Sequence, residues 1–470
     1  MTGSGPSAFT SGPSYHRRAS APKALGSRAT PESFAVNPNF LLVLLATAVT
    51  AGVDARGDEP EDGNTHVQAT YVRQAKPAFA SPYEGRHSLI GAREWSYSLT
   101  GTVAVGARLG NTEAYVDGEV AQGVPFSGLQ GLAGFTNGEL ARTSGANPTF
   151  YRARAFVRHV FGLGGESESV DSAANQLASR YDRNRVVITA GNVSVLDLFD
   201  ANAFSHDPRT QFMNWTLMTH GAWDYPADSR GYTWGAAAEY FGARWSVRAG
   251  RFAQPEQPNG LKLDSRIPRH FGDQVELSRD YAWGEQAGTV RLLAFRNRAV
   301  MARYDDALAS AAAGAPPDLA SVRTREHTKS GFGVGLEHRI APGLGIFGRV
   351  MGADGKTETY AFTEVDRSAS AGLSCGGARW GREADTAGLA MALNALSASH
   401  RGVLQAGGQT FFLGDGRLRY RPEQVLEAYY SVGLLPGVAL TLDYQRISNP
   451  GYNADRGPAS FVALRLHVEK

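Results

Sequence analysis

The sequence has almost no cysteine. Its 470 residues include one, Cys375. A single thiol cannot form an intrachain disulfide, and it cannot supply the thiolates of a structural zinc site. The sequence therefore excludes a fold held together by disulfides or by cysteine-bound metal.

An excess of one charge and long apolar runs are also missing. The 47 Lys and Arg residues nearly balance the 45 Asp and Glu residues, which leaves a formal net charge of +2. This balance excludes a strong electrostatic attraction to nucleic acid. The apolar run at residues 40–49 is shorter than the ~20 residues that a transmembrane helix needs, and no other segment approaches that length. The sequence therefore predicts no spanning helix.

Sequence motifs of the common enzyme families are absent as well. The chain contains no H-E-x-x-H, G-x-S-x-G, P-loop or paired cysteine motif. His206 next to Asp207 could suggest the catalytic dyad of an outer-membrane hydrolase, but adjacent residues of an extended chain point in opposite directions. We expect neither an enzyme nor a site for a cofactor or a metal ion.

The N-terminal region has the features of an export signal. Basic residues at positions 17, 18, 23 and 28 precede the apolar run, and Val49, Thr50 and Ala51 form an acceptable cleavage site. Residues 1–51 are therefore predicted to be a leader with a secretory signal peptide. The acidic, glycine-rich residues that follow predict a flexible spacer over 52–65, and 66–470 is predicted to form the folded domain.

Alternation with a period of two is the clearest pattern in the rest of the chain. Near the C-terminus, Val462, Leu464 and Leu466 alternate with Arg465 and His467. A strand that is apolar on one face and charged on the other suits lipid outside and water inside.

Similar segments recur along the chain, separated by short turns that tend to alternate with long polar loops. One such loop spans residues 192–214, and Trp215–Trp223 is predicted to be a strand of the series. About sixteen strands can be counted, and eighteen are possible. The predicted fold is all-β: a transmembrane antiparallel β-barrel in which one long loop folds into the lumen.

Several polar motifs resemble those of a known family. They are the segment Asn202–Asn214, Gly414–Gly416, Pro422–Gln424, Glu427, Tyr429–Tyr430, Asp443–Gln445 and Asn449–Pro458. In these motifs the chain resembles the carbohydrate-selective porins of the OprB-like family. The resemblance implies a bacterial outer-membrane barrel of about sixteen strands that lets sugars diffuse passively through a narrowed channel. It also implies contact with outer-membrane lipid and with the barrel insertion machinery, although Lys470 stands where such barrels usually end in an aromatic residue.

A sugar-selective pore needs hydrogen-bonding side chains and flat apolar faces, because sugars are neutral polyols. The candidates for lining the channel or contacting sugar are Asp117, Glu119, Arg152, Arg154, Arg158, Asp200, Asn202, Asp207, Arg209, Glu427 and Asp443. The three arginines of residues 150–163 are separated by even numbers of residues, which predicts one basic face. The alternative for the strand charges is solvation of the lumen without selectivity. Asp207 and Arg209 are interpreted as an ion pair within the folded-in loop, and Glu427 and Asp443 as charges of the lumen wall.

The predicted function is passive, selective diffusion of mono- or oligosaccharides into the periplasm. A general porin and an outer-membrane barrel enzyme are the alternatives, and a soluble periplasmic or secreted β protein is a third. The sequence is compatible with a monomer or a homotrimer.

Overall fold

The computed structural model describes residues 60–470, so the predicted leader and most of the predicted spacer lie outside the described residues. The strands are β1 (Gly63–Lys76), β2 (Glu94–Leu109), β3 (Thr112–Val124), β4 (Thr149–Gly162), β5 (Ser167–Val170), β6 (Ser179–Asp182), β7 (Arg185–Val193), β8 (Thr233–Phe241), β9 (Trp245–Ala253), β10 (Phe271–Trp283), β11 (Gln286–Val300), β12 (Glu326–Ala341), β13 (Leu344–Ala353), β14 (Arg367–Gly376), β15 (Thr386–Ala395), β16 (Glu423–Leu435), β17 (Val438–Ser448) and β18 (Ala459–Glu469).

All of these strands except β5 and β6 form one closed barrel, in which each strand pairs antiparallel with its neighbours. The barrel closes where β1 pairs with β18. The prediction of an all-β antiparallel barrel with about sixteen strands is confirmed. The first strand begins at Gly63, slightly before the predicted boundary at residue 66.

Within residues 60–470, four short α-helices lie in the connections: α1 (Trp215–Met218), α2 (Tyr304–Ser310), α3 (Leu319–Val322) and α4 (Ala398–Gln405). Within residues 60–470, no helix combines the length and the apolar character needed to cross a membrane.

The strands alternate between the two faces of the barrel wall as predicted. On β18, Val462 and Leu464 are 44% and 49% exposed on the outer face, whereas Ala463 and Arg465 are buried inside. The same division recurs on β17, where Leu442 is exposed and Asp443 is buried. An apolar outer face and a polar inner face are the arrangement expected of a barrel in lipid.

The two ends of the barrel differ in their connections. Short turns join most strands at one end, here called the turn end, where β1 begins and β18 ends; they include residues 110–111, 284–285 and 436–437. The connection 163–184, which contains β5 and β6, is the long exception at this end. The opposite end, here called the loop end, carries the connections 77–93, 125–148, 194–232, 254–270, 301–325, 354–366, 396–422 and 449–458. In outer-membrane barrels the long loops are extracellular and the short turns periplasmic.

Segments of the loop-end connections fold into the barrel and fill much of it. Phe135, Leu217, Trp223, Phe362 and Phe412 come from four different loops, and all belong to one buried apolar cluster. The expectation of a loop inside the lumen is therefore confirmed, and more than one loop takes part.

The predicted strand at Trp215–Trp223 is wrong. Its first residues form α1, capped by the Asn214 side chain, which accepts a hydrogen bond from the Thr216 N–H. The aromatic and β-branched composition is typical of a strand. Here the same residues are buried inside the barrel, where they pack between loops and do not pair in the sheet.

A β-bulge on β4 also changes one prediction. The pairing with β3 shifts between Asp117 and Gly118, where Ala153 has no partner. A bulge re-aims the side chains that follow it. Arg152 is consequently exposed and lies over the Trp234 ring, itself exposed on the outer face, whereas Arg154 lies in the lumen. The predicted single basic face of Arg152, Arg154 and Arg158 is therefore wrong.

Candidate functional site: a charged constriction in the lumen

Two cavities inside the barrel adjoin each other. The cavity nearer the loop end has a volume of about 320 Å³ and is lined by residues 138–142 and 229–232, among others. The cavity nearer the turn end has a volume of about 610 Å³. Its lining includes residues 172–176 together with His467, Glu469 and Lys470 near the C-terminus. The two cavities share four lining residues, which we call the constriction: Arg154, Asp197, Asp207 and Arg209.

Arg154 joins the barrel wall to the folded-in loop. Its Nε and Nη2 donate to the two carboxylate oxygens of Asp197 at 2.6 and 2.8 Å, and its Nη1 donates to Asp117 at 3.1 Å. Burial favours the neutral form of Asp197, but the Arg154 guanidinium outweighs burial and lowers the pKa of Asp197. The Asp197 carboxylate also accepts the backbone N–H of Ser194, which fixes its side chain within the loop.

Arg209 is held by two carboxylates of other segments. Its Nε donates to Glu139 at 3.0 Å, and its Nη2 lies 3.5 Å from a carboxylate oxygen of Glu119. The predicted ion pair between Asp207 and Arg209 is wrong. Asp207 instead accepts the Arg209 N–H at 2.9 Å and the Thr210 hydroxyl at 3.0 Å, which closes a tight local turn.

Aromatic side chains line the cavity at the loop end. Tyr232 lies under the Arg154 guanidinium, with 5.3 Å from Cζ to the ring centroid, and its hydroxyl lies 3.4 Å from Glu119. Trp215 and Phe362 stack at 5.4 Å between ring centroids. Tyr151 extends this set by donating its hydroxyl to Glu119. Flat apolar faces therefore stand beside charged hydrogen-bonding groups.

Asp200 and Asn202 shape the loop 194–232 and line neither cavity. Arg349 on β13 lies 2.9 Å from Asp200 and donates to the carbonyl oxygens of Leu217 and Ser205. Burial raises the pKa of Asp200, but Arg349 and its other partners outweigh it and lower that pKa to about 2. The Asn202 side chain accepts the backbone N–H groups of Phe204 and Ser205, and so forms a turn.

Glu427 and Asp443 lie beneath the same loop. Both carboxylate oxygens of Glu427 accept backbone N–H groups, from Met213 at 2.5 Å and from Asn214 at 3.0 Å. Asp443 is buried beside Gln445, whose side chain donates to it at 3.2 Å. Arg465 completes this surface by donating to the carbonyl oxygens of residues 208 and 211. Glu427 on β16 and Arg465 on β18 thus supply partners for loop backbone that would otherwise be buried without them.

The comparisons with known proteins agree with this architecture. The model of the carbohydrate-selective porin, OprB family, matches residues 87–469. The chain belongs to this family. It is therefore an outer-membrane porin through which sugars diffuse passively, and its family and fold are those of a channel and not of an enzyme. No curated protein sequence matched the chain.

A solved structure shows the same fold at low sequence identity. The high-pH structure of Pseudomonas putida OprB aligns with a TM-score of 0.63 and 16% identity, over 87% of this chain and 94% of that chain. The outer-membrane channel DcaP of Acinetobacter baumannii aligns with a TM-score of 0.49 and 10% identity, over 87% of this chain and 97% of that chain.

Of the remaining candidate residues of this porin, three face the lumen and one faces the lipid. Asp117 and Arg158 line the cavity at the turn end, where Arg158 donates to the Asn175 carbonyl oxygen at 3.1 Å. Glu119 lies buried behind Arg209. Arg152 is the one candidate that the bulge places on the outer face.

Sequence reasoning missed several residues of the lumen. Asp197 and His206 lie in the loop that was recognised as polar, but neither was chosen as a candidate. Glu139 and Arg142 come from another loop and Arg230 from the end of this one, and all three also line the cavity at the loop end. Nothing local in the sequence distinguishes them, because only the folding of several loops into one barrel brings them together.

Proposed function

We propose that sugars cross the membrane through the two lumen cavities and pass from one to the other at the constriction. The observation that supports this route is the set of four residues shared by both cavities. Two are arginines and two are aspartates, so their formal charges cancel. A narrow passage in which cations and anions are paired and offer strong hydrogen-bonding groups suits neutral polyols better than ions.

Six of the predicted candidates are proposed to contact the sugar or line its route: Asp117, Glu119, Arg154, Arg158, Asp207 and Arg209. Asp197, His206 and Tyr232 extend this set. Within residues 60–470, the Oδ1 atom of Asp117 and the Nδ1 atom of His206 are buried without a hydrogen-bond partner. Hydroxyl groups of a passing sugar could satisfy both atoms.

The other five candidates are proposed to act indirectly or not at all. Asp200, Asn202, Glu427 and Asp443 position the loop 194–232, which sets the width of the route. Arg152 faces the lipid.

Swelling of liposomes that contain the purified porin tests the route. Neutral hexoses are expected to enter faster than hexonate anions or amino acids of similar size. Equal entry of all solutes would indicate a general porin, and absence of swelling for every solute would contradict transport. Empty liposomes provide the control.

We also propose that residues 1–51 are removed on export and that the barrel insertion machinery assembles the remainder as a monomer or a homotrimer. The motif ending at Ala51 supports the cleavage site. Mass spectrometry of the protein isolated from outer membranes would show an N-terminus at Gly52, and the mass of the detergent-solubilised particle would distinguish one copy from three.

A further inference from the structure

A groove runs across the outer face of the barrel on β12 to β17. Its volume is about 850 Å³, within the roughly 300–1,000 Å³ typical of ligand sites. Small residues form the floor, and larger apolar side chains form the two margins. The floor consists of Gly348, Ala369 and Ala371; the margins are Val334, Leu336, Val350, Met391, Leu393 and Leu426.

The strand register explains the shape of the groove. Ala371 pairs with Gly348 on one side and with Met391 on the other, and Ala369 pairs with Val350 and Leu393. Two small residues therefore lie side by side between rows of larger ones. This depression faces hydrocarbon, so its apolar part is suited to acyl chains.

The end of the groove nearest the loops is polar and cationic. Arg446 lines it together with Gln424 and Ser448, and Arg446 is exposed on the same face as Leu442 and Tyr444. Arg367, the first residue of β14, is exposed on the same outer face as Ala369. Within residues 60–470, neither Arg367 nor Arg446 forms an ion pair, although a charged side chain on the lipid face is costly away from the interface.

Three outward arginines at the loop end of β9 to β12 have carboxylate partners within the protein, whereas Arg152 lies over an aromatic ring. Arg251 and Arg296 share Asp273 at 2.7 and 2.6 Å, and Arg298 lies 2.7 Å from Glu326. These three arginines are thus neutralised by carboxylates of the protein. Beside the groove, Arg367 and Arg446 have no such carboxylate within residues 60–470.

We propose that this groove binds a phosphorylated, multiply acylated lipid of the outer leaflet, of the lipid A type. The acyl chains lie over Ala369, Ala371 and Gly348, and a phosphate group is bound by Arg446, with Arg367 available to a second phosphate. A planar guanidinium binds phosphate through two parallel hydrogen bonds. The lipid phosphate would therefore be the anionic partner that the protein does not provide for these arginines. This site does not depend on which side chains contact sugar.

Titration of lipid A into nanodiscs that contain the intact porin tests the proposal, with native mass spectrometry as the readout. The wild type is expected to retain one lipid A molecule per groove. Loss of charge-assisted hydrogen bonds in the double variant Arg367→Gln/Arg446→Gln is expected to weaken binding roughly tenfold or more. Arg296→Gln is the matched control, because Asp273 keeps Arg251 as a partner, and its affinity is expected to stay at the wild-type value.

Two further arms separate the phosphate from the acyl chains. Dephosphorylated lipid A is expected to bind the wild type as weakly as the phosphorylated lipid binds the double variant. Ala371→Trp fills the groove floor and is expected to weaken binding of both lipids, while sugar-driven liposome swelling stays unchanged.

Equal affinity of the wild type and the double variant would overturn the proposal, as would an equal loss in Arg296→Gln. If Ala371→Trp changed the number of porin copies per particle and left lipid affinity unchanged, a second copy would be the occupant, and the lipid site would be wrong.

Discussion

Arg154 on the barrel wall and Asp197 in the folded-in loop are joined by two parallel hydrogen bonds, with the guanidinium and carboxylate groups side by side. The same guanidinium also reaches Asp117 on β3. One side chain therefore connects two segments of the wall and one loop at the point where both cavities meet.

Replacing Arg154 with alanine is expected to widen the constriction and weaken sugar binding there. The sugar concentration that half-blocks the ion current should rise roughly tenfold, as expected for loss of a charged hydrogen-bond donor, while the open-channel conductance increases. Arg251→Ala removes an arginine that is also paired with an aspartate but faces outward. That control should leave both quantities unchanged.

Replacing Arg209 with methionine is expected to make the channel prefer cations. Glu119 and Glu139 would lose the guanidinium that they share, and the local charge would become more negative by one. The reversal potential in a potassium chloride gradient measures this change. Arg209→Lys keeps the charge and should preserve the wild-type potential; a shift of equal size in both variants would contradict the assignment.

Replacing Arg349 with methionine is expected to destabilise the folded-in loop. Asp200 would stay buried without its cation, and two carbonyl oxygens would lose their donor. Breaking a buried ion pair by removing one partner typically costs about 3–5 kcal/mol. Urea unfolding in detergent, followed by protease access to residues 194–232, measures the effect. The double variant Arg349→Met/Asp200→Leu removes the isolated charge and should recover part of the loss.

These positions show which parts of the structure could be read from the sequence. The alternation around Arg465 predicted the wall correctly, because side chains that face lipid and lumen differ in polarity at every second residue. The loop containing Asp207 and Arg209 was recognised from its polar composition, but its partners were not. Glu139 lies in another loop and Glu119 on another strand, so no local pattern relates them to Arg209.

Two other errors have equally definite causes. The bulge at Ala153 moves Arg152 to the opposite face, and a single unpaired residue leaves little trace in a period-two pattern. Trp215–Trp223 has the composition of a strand, yet it is buried inside the barrel by other loops. The role of Glu427 was also hidden, since a charge that binds loop backbone looks the same in the sequence as one that faces water.

The burial of His220 within the folded-in loop predicts that the stability of the protein depends on pH. It is buried beside Asp200, Arg349 and Arg291, and both ring nitrogens lack a hydrogen-bond partner within residues 60–470. Burial lowers its pKa from 6.5 to about 4, because Asp200 only partly offsets the loss of solvation. Between these two pH values the unfolded state binds more protons than the folded state. The free energy of unfolding should therefore fall as the pH is lowered from 6.5 to 4.

The variant His220→Gln is expected to reduce this slope, and urea midpoints measured at several pH values provide the readout. Asp200 contributes to the slope only toward pH 4, because its pKa falls from 3.8 to about 2 on folding, so midpoints measured between pH 5 and 6.5 report mainly on His220. An unchanged slope in the variant would assign the pH dependence to other groups.

The most direct test of the sugar route is the single-channel current of the reconstituted porin while a neutral hexose is titrated. The account predicts a saturable block in the wild type that is strongly weakened in Arg154→Ala and in Arg209→Met but unaffected in Arg251→Ala. A current that the sugar does not reduce, or a block that all three variants retain, would contradict passage through the constriction.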